Sequence, residues 1–144
     1  ADSKAQLFLS LQDWLLKNAT EFVWCRLFYL YGDGEDSRRL IPYLKAKLKA
    51  GELAELSGGS QIRDFLDVRE AGNSIAEVVL NNQVGAGNIC SGIPTTVRQL
   101  AEKVADEYGR RDLLNFGARS DNLSDVPCIL GIPNIKTYKK IRKY

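Results

Sequence analysis

Residues 21–30 are EFVWCRLFYL, a run made almost entirely of aromatic, β-branched and aliphatic side chains. Such a run, with little polar alternation, is typical of a strand buried on both faces of a parallel sheet. The glycine- and aspartate-rich residues 31–36, YGDGED, then end the strand in a turn. This stretch predicts an α/β protein if helices flank it.

Helical periodicity is present on both sides of the predicted strand. Residues 3–17 carry apolar side chains at helical spacing over a wide stripe, which predicts a well-buried helix. Residues 38–50 predict a second helix, and Gly51 is placed as its carboxy-terminal stop. The strand is therefore enclosed by helices in sequence, as in a parallel sheet.

The remainder of the chain continues this alternation. Four more strands and two more helices are predicted, the strands at 53–57, 64–68, 88–90 and 113–116 and the helices at 69–81 and 96–108. Thr96-Val97-Arg98-Gln99 fits a capping box at the start of the last helix. Beyond residue 118 the pattern weakens into loop. We interpret residues 1–135 as one α/β unit and residues 136–144 as a basic tail.

Composition narrows the class of protein. With 44% apolar and 26% charged residues and a net charge of +2, the chain is typical of a soluble globular domain and predicts no polyanionic partner. The basic tail is interpreted as a solvated terminus, with nucleic-acid binding as the alternative. No apolar run approaches the roughly 18 residues of a membrane span. We expect a cytoplasmic protein that binds neither nucleic acid nor membrane.

Two residue types are absent from the sequence, His and Met. Without His, neither Ser-His-Asp nor Cys-His catalysis can be assembled within this chain. Cys25, Cys90 and Cys128 are far apart, so buried thiols are expected and a metal site is not. The missing Met suggests a trimmed or partial chain.

Several blocks of sequence resemble the second half of the extended short-chain dehydrogenase/reductases, the NAD(P)-dependent nucleotide-sugar epimerases, dehydratases and reductases. The specific combination is R-L-F-x-x-Y-G, then G-x-x-Q-x-R-D-F-L-D-V, then N-I-x-S-G-x-x-x-T-V, at residues 26–32, 58–68 and 88–97. The resemblance covers residues 1–135 and implies the carboxy-terminal part of a Rossmann-type sheet plus a small substrate-binding α/β subdomain. No G-x-G-x-x-G fingerprint is present, so it also implies an amino-terminal half that binds the cofactor.

For the cofactor, NAD or NADP, the resemblance implies three residues of this chain. Ser3-Lys4 matches the end of the family's Tyr-x-x-x-Lys motif, whose tyrosine would precede Ala1. Lys4 would lower the pKa of that tyrosine and hydrogen-bond the nicotinamide ribose. Phe28 and Tyr29 would contact the carboxamide. The alternatives are a snorkelling surface lysine and plain core aromatics.

For the substrate, a nucleoside diphosphate sugar, the resemblance implies two arginines at the diphosphate, Arg63 and Arg119. Arginine suits this role because its rigid fork binds two phosphate oxygens at once. Arg39 and Leu40 precede the helix that lines the nucleotide pocket in the family. The alternative for Arg63 is a local ion pair with Asp64.

Two functions remain open from the sequence. The first is the substrate-binding half of a nucleotide-sugar epimerase, dehydratase or reductase, in deoxysugar or surface-polysaccharide synthesis. The second is a non-catalytic half-domain that binds a nucleotide or a partner subunit. In either case an exposed apolar strand edge is expected, with the amino-terminal half or a second copy in a homodimer as candidate partners.

Overall fold

The computed structural model describes residues 2–122, 124–133 and 135–136. This part of the chain contains four α-helices and one 3₁₀ turn: α1 Asp2–Lys17, α2 Leu40–Ala50, α3 Val68–Leu80, α4 Val97–Glu107 and the turn Arg111–Leu113. It also contains nine strands: β1 Val23–Leu27, β2 Tyr29–Tyr31, β3 Ala54–Leu56, β4 Ile62–Asp67, β5 Gly85–Ile89, β6 Pro94–Thr96, β7 Leu114–Phe116, β8 Cys128–Ile129 and β9 Ile135–Lys136. Helices and strands alternate along the chain, so the predicted α/β class is confirmed.

The strands form three separate hydrogen-bonded groups. In the first, β1 runs parallel to β5, and β9 adds antiparallel to the other side of β5. In the second, β4 is central and pairs with β2, β6 and β8. In the third, β3 runs parallel to β7.

The single buried strand predicted for residues 21–30 is wrong in two respects, because none of these residues is buried and because the structure divides the segment between two sheets. β1 belongs to the first sheet and β2 to the second. At the break, the backbone N–H of Leu30 donates to the carbonyl of Phe28 at 3.1 Å, which is a three-residue turn. This turn lies between apolar residues and carries no glycine or proline, so composition gave no sign of it.

The prediction of a well-buried α1 is also wrong. Phe8 contacts Phe22 and Trp24 with ring centroids 6.4 and 5.3 Å apart, but Trp14 is 59% exposed. Other large apolar side chains of the helix are exposed too, namely Leu7, Leu9 and Leu16. Within the described residues only one side of the helix has a layer to pack against, although the stripe is wide enough for two.

Two apolar cores stabilise the fold. The larger lies between α2, α4 and the β3–β7 pair, with Leu44 and Ala101 fully buried. The smaller lies under α3 and includes Leu66, Val78 and Ile89. The larger core therefore fixes α2 and α4 beside the second sheet, where the candidate site lies.

The two helix-end signals predicted from the sequence, at Gly51 and Thr96, are confirmed. Gly51 ends α2 with a left-handed φ of 70°, a conformation that glycine adopts without a Cβ penalty. Thr96 and Gln99 form the reciprocal capping box of α4. Asp67 caps α3 by accepting from the backbone N–H of Arg69 at 2.7 Å.

Three short strands were not predicted: β6, β8 and β9. Each has only two or three residues, which is too short for an alternating pattern to be recognised. Lys136, taken as the first residue of the basic tail, pairs with Ala86 in β9. Lys139, Lys140, Arg142 and Lys143 lie outside the described residues. In the part that is described, no helix combines the length and apolar character that a membrane crossing requires.

Candidate functional site

A cavity of about 430 Å³ lies between the second sheet, the start of α2 and the start of α4. Strand β4 and the residue before it supply Gln61, Arg63 and Phe65, which share one face because alternate residues of a strand point the same way. Tyr29, Leu30 and Tyr31 come from β2. The remaining wall consists of Glu35, Arg39, Leu40, Ile41, Ser57, Val97, Leu100 and Asp125.

Arg63 is held rigidly in the cavity wall. Only 3% of the residue is exposed, and its guanidinium carbon lies 5.4 Å from the centre of the Tyr29 ring. Nη1 donates to the carbonyl of Ile62 at 2.8 Å, and Nη2 donates to Oδ1 of Asp125 at 2.6 Å. A guanidinium has five N–H donors, so donors remain for an anion in the cavity.

The alternative in which Arg63 pairs with its neighbour Asp64 is wrong. Adjacent strand residues point to opposite faces, so Asp64 faces away from Arg63 into the interior and is fully buried. Its carboxylate accepts from Ser91 N, Ser91 Oγ, Gly92 N and Gly131 N at 2.7–3.1 Å. Asp64 therefore ties β4 to the loops that follow β5 and β8.

Arg39 and Leu40 lie where α2 begins and contribute to the cavity wall. Arg39 is the N-cap residue, but its side chain makes no capping hydrogen bond and the first turn contains no acidic residue. The backbone N–H groups of this turn therefore lack side-chain acceptors, and the helix start is electropositive. Arg39 Nε donates to Glu35 Oε1 at 2.9 Å.

Arg119 is placed apart from the cavity lining. Its Nη2 donates to the hydroxyl of Tyr43 at 3.2 Å, and its guanidinium carbon lies 5.0 Å from the Tyr43 ring centre. Its backbone N–H donates to the carbonyl of Leu56. The structure therefore groups Arg63, Arg39, Leu40 and Tyr29 around one cavity and leaves Arg119 on the surface of α2.

A second cavity, of about 400 Å³, adjoins the first. The two share Leu30, Tyr31, Glu35 and Arg39 as lining residues. Phe28 and Leu27, at the end of β1, line the second cavity alone. The two adjoining cavities are together called the groove.

Lys4 lies in the first turn of α1 and is exposed. One helical turn later, Phe8 contacts Trp24 and lies 5.6 Å below the guanidinium of Arg26. These contacts pack the first half of α1 against β1. Lys4 lines neither cavity.

Burial raises the pKa of Tyr31, which lines both cavities, and of two thiols that line neither. Desolvation, followed by the charges of Asp67, Glu70 and Glu107, raises the pKa of Tyr31, so its phenol remains a hydrogen-bond donor at neutral pH. Burial likewise raises the pKa of the Cys25 and Cys90 thiols, which therefore remain protonated. In the described part of the chain, no group of three or more Cys, Asp or Glu side chains is placed to hold a metal ion.

Five polar residues of the first cavity were not predicted as site residues: Tyr31, Glu35, Ser57, Gln61 and Asp125. Glu35 and Gln61 flank residues that were singled out, so spacing alone could have suggested them. Asp125 lies 62 residues from its partner Arg63 and in a segment without periodicity, so no sequence signal paired the two.

Comparison with known proteins places this geometry in a family. The model of the NAD dependent epimerase/dehydratase family matches residues 1–90. The chain is 29% identical over 86 residues to dTDP-6-deoxy-L-talose 4-dehydrogenase (NAD(+)) of Aggregatibacter actinomycetemcomitans, a match that covers 59% of this chain and 32% of that protein.

Solved structures show the same fold at lower identity. UDP-N-acetylglucosamine 4-epimerase from Methanobrevibacter ruminantium M1, in complex with UDP-N-acetylmuramic acid, superposes with a TM-score of 0.81 at 22% identity, covering 95% of this chain and 47% of that one. The dTDP-glucose 4,6-dehydratase from Bacillus anthracis str. Ames, in complex with NAD, gives 0.78 at 20% identity, covering 92% and 42%. The chain thus spans a third to a half of the length of these relatives, and it belongs to the NAD dependent epimerase/dehydratase family.

Proposed function

We propose that this chain binds the nucleoside diphosphate sugar for an NAD(P)-dependent epimerase, dehydratase or reductase. The observation that carries the proposal is Arg63, a nearly buried arginine with unused N–H donors in the wall of a cavity. The first turn of α2, which lacks a side-chain cap, faces the same cavity. Both features favour an anion, and a diphosphate carries two negative charges.

Relatives support this substrate class. Three solved structures of similar fold are complexes with UDP-N-acetylmuramic acid, UDP-glucose and UDP, respectively. The curated relative acts on a dTDP-deoxysugar, which supports a place in deoxysugar or surface-polysaccharide synthesis.

For the cofactor, the residues of this chain fit in part. Lys4 is exposed in the first turn of α1, from which it would hold ribose hydroxyls, and Phe28 lines the second cavity. The sequence contains no G-x-G-x-x-G turn for a dinucleotide pyrophosphate. Hydride exchange with a sugar carbon is the chemistry that bound NAD or NADP supplies in this proposal.

The proposal includes further protein against the first sheet. Among the described residues β1 pairs only with β5, and Leu27 at its end is 51% exposed. Trp14 and Leu16 of α1 are more exposed still. An amino-terminal half or a second copy of the chain would cover such apolar surface.

Calorimetric titration of the intact protein with UDP, dTDP, CDP and GDP tests the proposal. Arg63→Ala should weaken the best nucleotide about 10- to 100-fold, since hydrogen bonds to charged groups contribute about 1.5–3 kcal/mol. The affinity of Arg63→Lys should lie between those of the wild type and Arg63→Ala, because lysine keeps the positive charge but lacks the forked guanidinium that binds two oxygens at once.

Arg110→Ala is the matched control, since Arg110 pairs with Asp112 and lines neither cavity. Equal affinities for wild type, Arg63→Ala and Arg63→Lys would remove the proposal. So would a wild-type protein that binds none of the four nucleotides. Binding without turnover of the matching sugar nucleotide would favour the non-catalytic alternative.

A further inference from the structure

Among the described residues, two buried side-chain oxygens have no hydrogen-bond partner, Glu35 Oε2 and Gln61 Oε1. Both residues line the first cavity. A buried acceptor without a donor costs about 1–3 kcal/mol, so such atoms are rare in native proteins. Two of them in one cavity wall indicate that a ligand supplies the donors.

The Glu35 carboxylate is only half used. Its side chain is 11% exposed, and Oε1 accepts from Arg39 Nε at 2.9 Å. An ionised carboxylate offers about four acceptor positions on its two oxygens. The acceptor positions of Oε2 are therefore unused.

Glu35 lies where the two cavities join. It lines both of them, whereas Arg63 lines only the first and Phe28 only the second. In the proposed function the diphosphate lies at Arg63 and the reacting end at Phe28, so the part of the ligand between them lies near the shared residues, Glu35 among them. In a nucleoside diphosphate sugar, the part that follows the diphosphate is the glycosyl ring.

An ionised carboxylate oxygen can only accept hydrogen bonds, so its partner in the ligand must be a donor, and the glycosyl ring carries donors. Phosphate oxygens have no proton to donate at neutral pH and would be repelled, whereas sugar hydroxyls donate hydrogen bonds. Resting on the function proposed above, we propose that Glu35 is a specificity-determining residue that accepts a hydrogen bond from a hydroxyl of the glycosyl ring. The site then prefers a hydroxyl-bearing sugar nucleotide over the bare nucleoside diphosphate.

The test compares UDP with UDP-glucose and dTDP with dTDP-glucose by calorimetry on the intact protein. In the unaltered protein, the sugar nucleotide should bind about 10-fold more tightly than its nucleoside diphosphate. Glu35→Gln keeps the size of the side chain and removes its charge. In this variant, the ratio of sugar-nucleotide affinity to nucleoside-diphosphate affinity should fall about 10-fold. The nucleoside diphosphate itself should bind as well as before or better, because the variant lacks a negative charge close to the diphosphate.

Glu52→Gln is the matched control, because it makes the same change of charge at an exposed glutamate that pairs with Lys47 and lines neither cavity. In this variant, the ratio of the two affinities should equal that of the wild type.

Three results would overturn the inference and leave the proposed function standing. These are equal affinities of sugar nucleotide and nucleoside diphosphate in the wild type, an unchanged ratio in Glu35→Gln, or an equal loss for both ligands in that variant. If the wild type binds neither UDP nor dTDP, nor their sugars, the inference falls together with the proposed function.

Discussion

Arg63 and Asp125 lie 62 residues apart in the chain and form an ion pair in the wall of the cavity, with Nη2 and Oδ1 separated by 2.6 Å. The two side chains differ in exposure, 4% for Arg63 and 37% for Asp125. The carboxylate therefore reaches solvent while it orients a buried guanidinium. It also offsets part of the positive charge that an anion would meet.

Asp125→Asn is predicted to strengthen the binding of a nucleoside diphosphate. Asparagine keeps an acceptor oxygen for Arg63 and removes one negative charge close to the ligand. Two like unit charges about 4 Å apart in water repel each other by ~1 kcal/mol. Removing the charge of Asp125 should therefore raise the affinity for the nucleoside diphosphate about 5-fold. Calorimetric titration with UDP or dTDP measures the change, and the gain should shrink as salt is added.

Asp112→Asn is the control for this prediction, because Asp112 is an exposed carboxylate paired with Arg110 and lines neither cavity. The affinity of Asp112→Asn for UDP or dTDP should equal that of the wild type. Weaker binding in Asp125→Asn would mean that the full charge of Asp125 is needed to hold Arg63 in place.

Asp64→Asn is predicted to destabilise the fold by about 2–4 kcal/mol. The carboxylate accepts four hydrogen bonds, three of them from backbone N–H groups. An amide would turn an NH₂ group towards some of these donors and leave buried N–H groups unpaired. Urea denaturation measures the free energy of unfolding.

The same substitution at Asp121 provides a comparison. Asp121 is exposed and accepts one backbone hydrogen bond, from Gly58 at 2.9 Å. Its replacement by Asn should cost under about 1 kcal/mol. If the two variants were equally stable, Asp64 would not be a main connection between β4 and the two loops.

Local signals in the sequence predicted local structure well. The capping box at Thr96 and the glycine stop at Gly51 each depend on residues a few positions apart. Their hydrogen bonds close within one turn of chain, so the sequence around them is enough. The same holds for the alternation of helices and strands.

Features that depend on distant contacts could not be predicted. The burial of α1 was overestimated, because a wide apolar stripe does not say whether a layer is present to cover it. The partner of Arg63 is Asp125, which lies across the cavity rather than next in sequence. Arg119 was grouped with Arg63 by resemblance, but its position beside Tyr43 follows from the packing of α2 against β3.

Thr96→Ala is predicted to destabilise the fold by about 1 kcal/mol, the usual cost of removing an N-cap side chain. Thr96 Oγ1 accepts from Gln99 N at 3.0 Å, and Gln99 Oε1 accepts from Thr96 N at 2.8 Å. Urea denaturation of Thr95→Ala serves as the comparison, since Thr95 makes only a 3.5 Å contact to the carbonyl of Ile93. A cost for Thr95→Ala as large as that for Thr96→Ala would contradict this role.

Asp36 should titrate well below an ordinary aspartate. Hydrogen bonds from the Arg38 side chain, and then from its backbone N–H, lower the pKa of Asp36 from 3.8 to about 2. Because the folded value lies below the unfolded one, the contribution of this pair to stability is present above pH 3.8. It is lost as the pH falls towards 2, since protonation then removes the charge that Arg38 binds.

NMR observation of the Asp36 carboxyl carbon measures the midpoint of its titration directly. Arg38→Ala should return it towards 3.8, whereas Arg69→Ala, which removes a guanidinium paired with Asp33 on the same turn, should not. A midpoint near the ordinary value in the wild type would show that the Asp36–Arg38 pair does not persist in solution, as exposed ion pairs often do not.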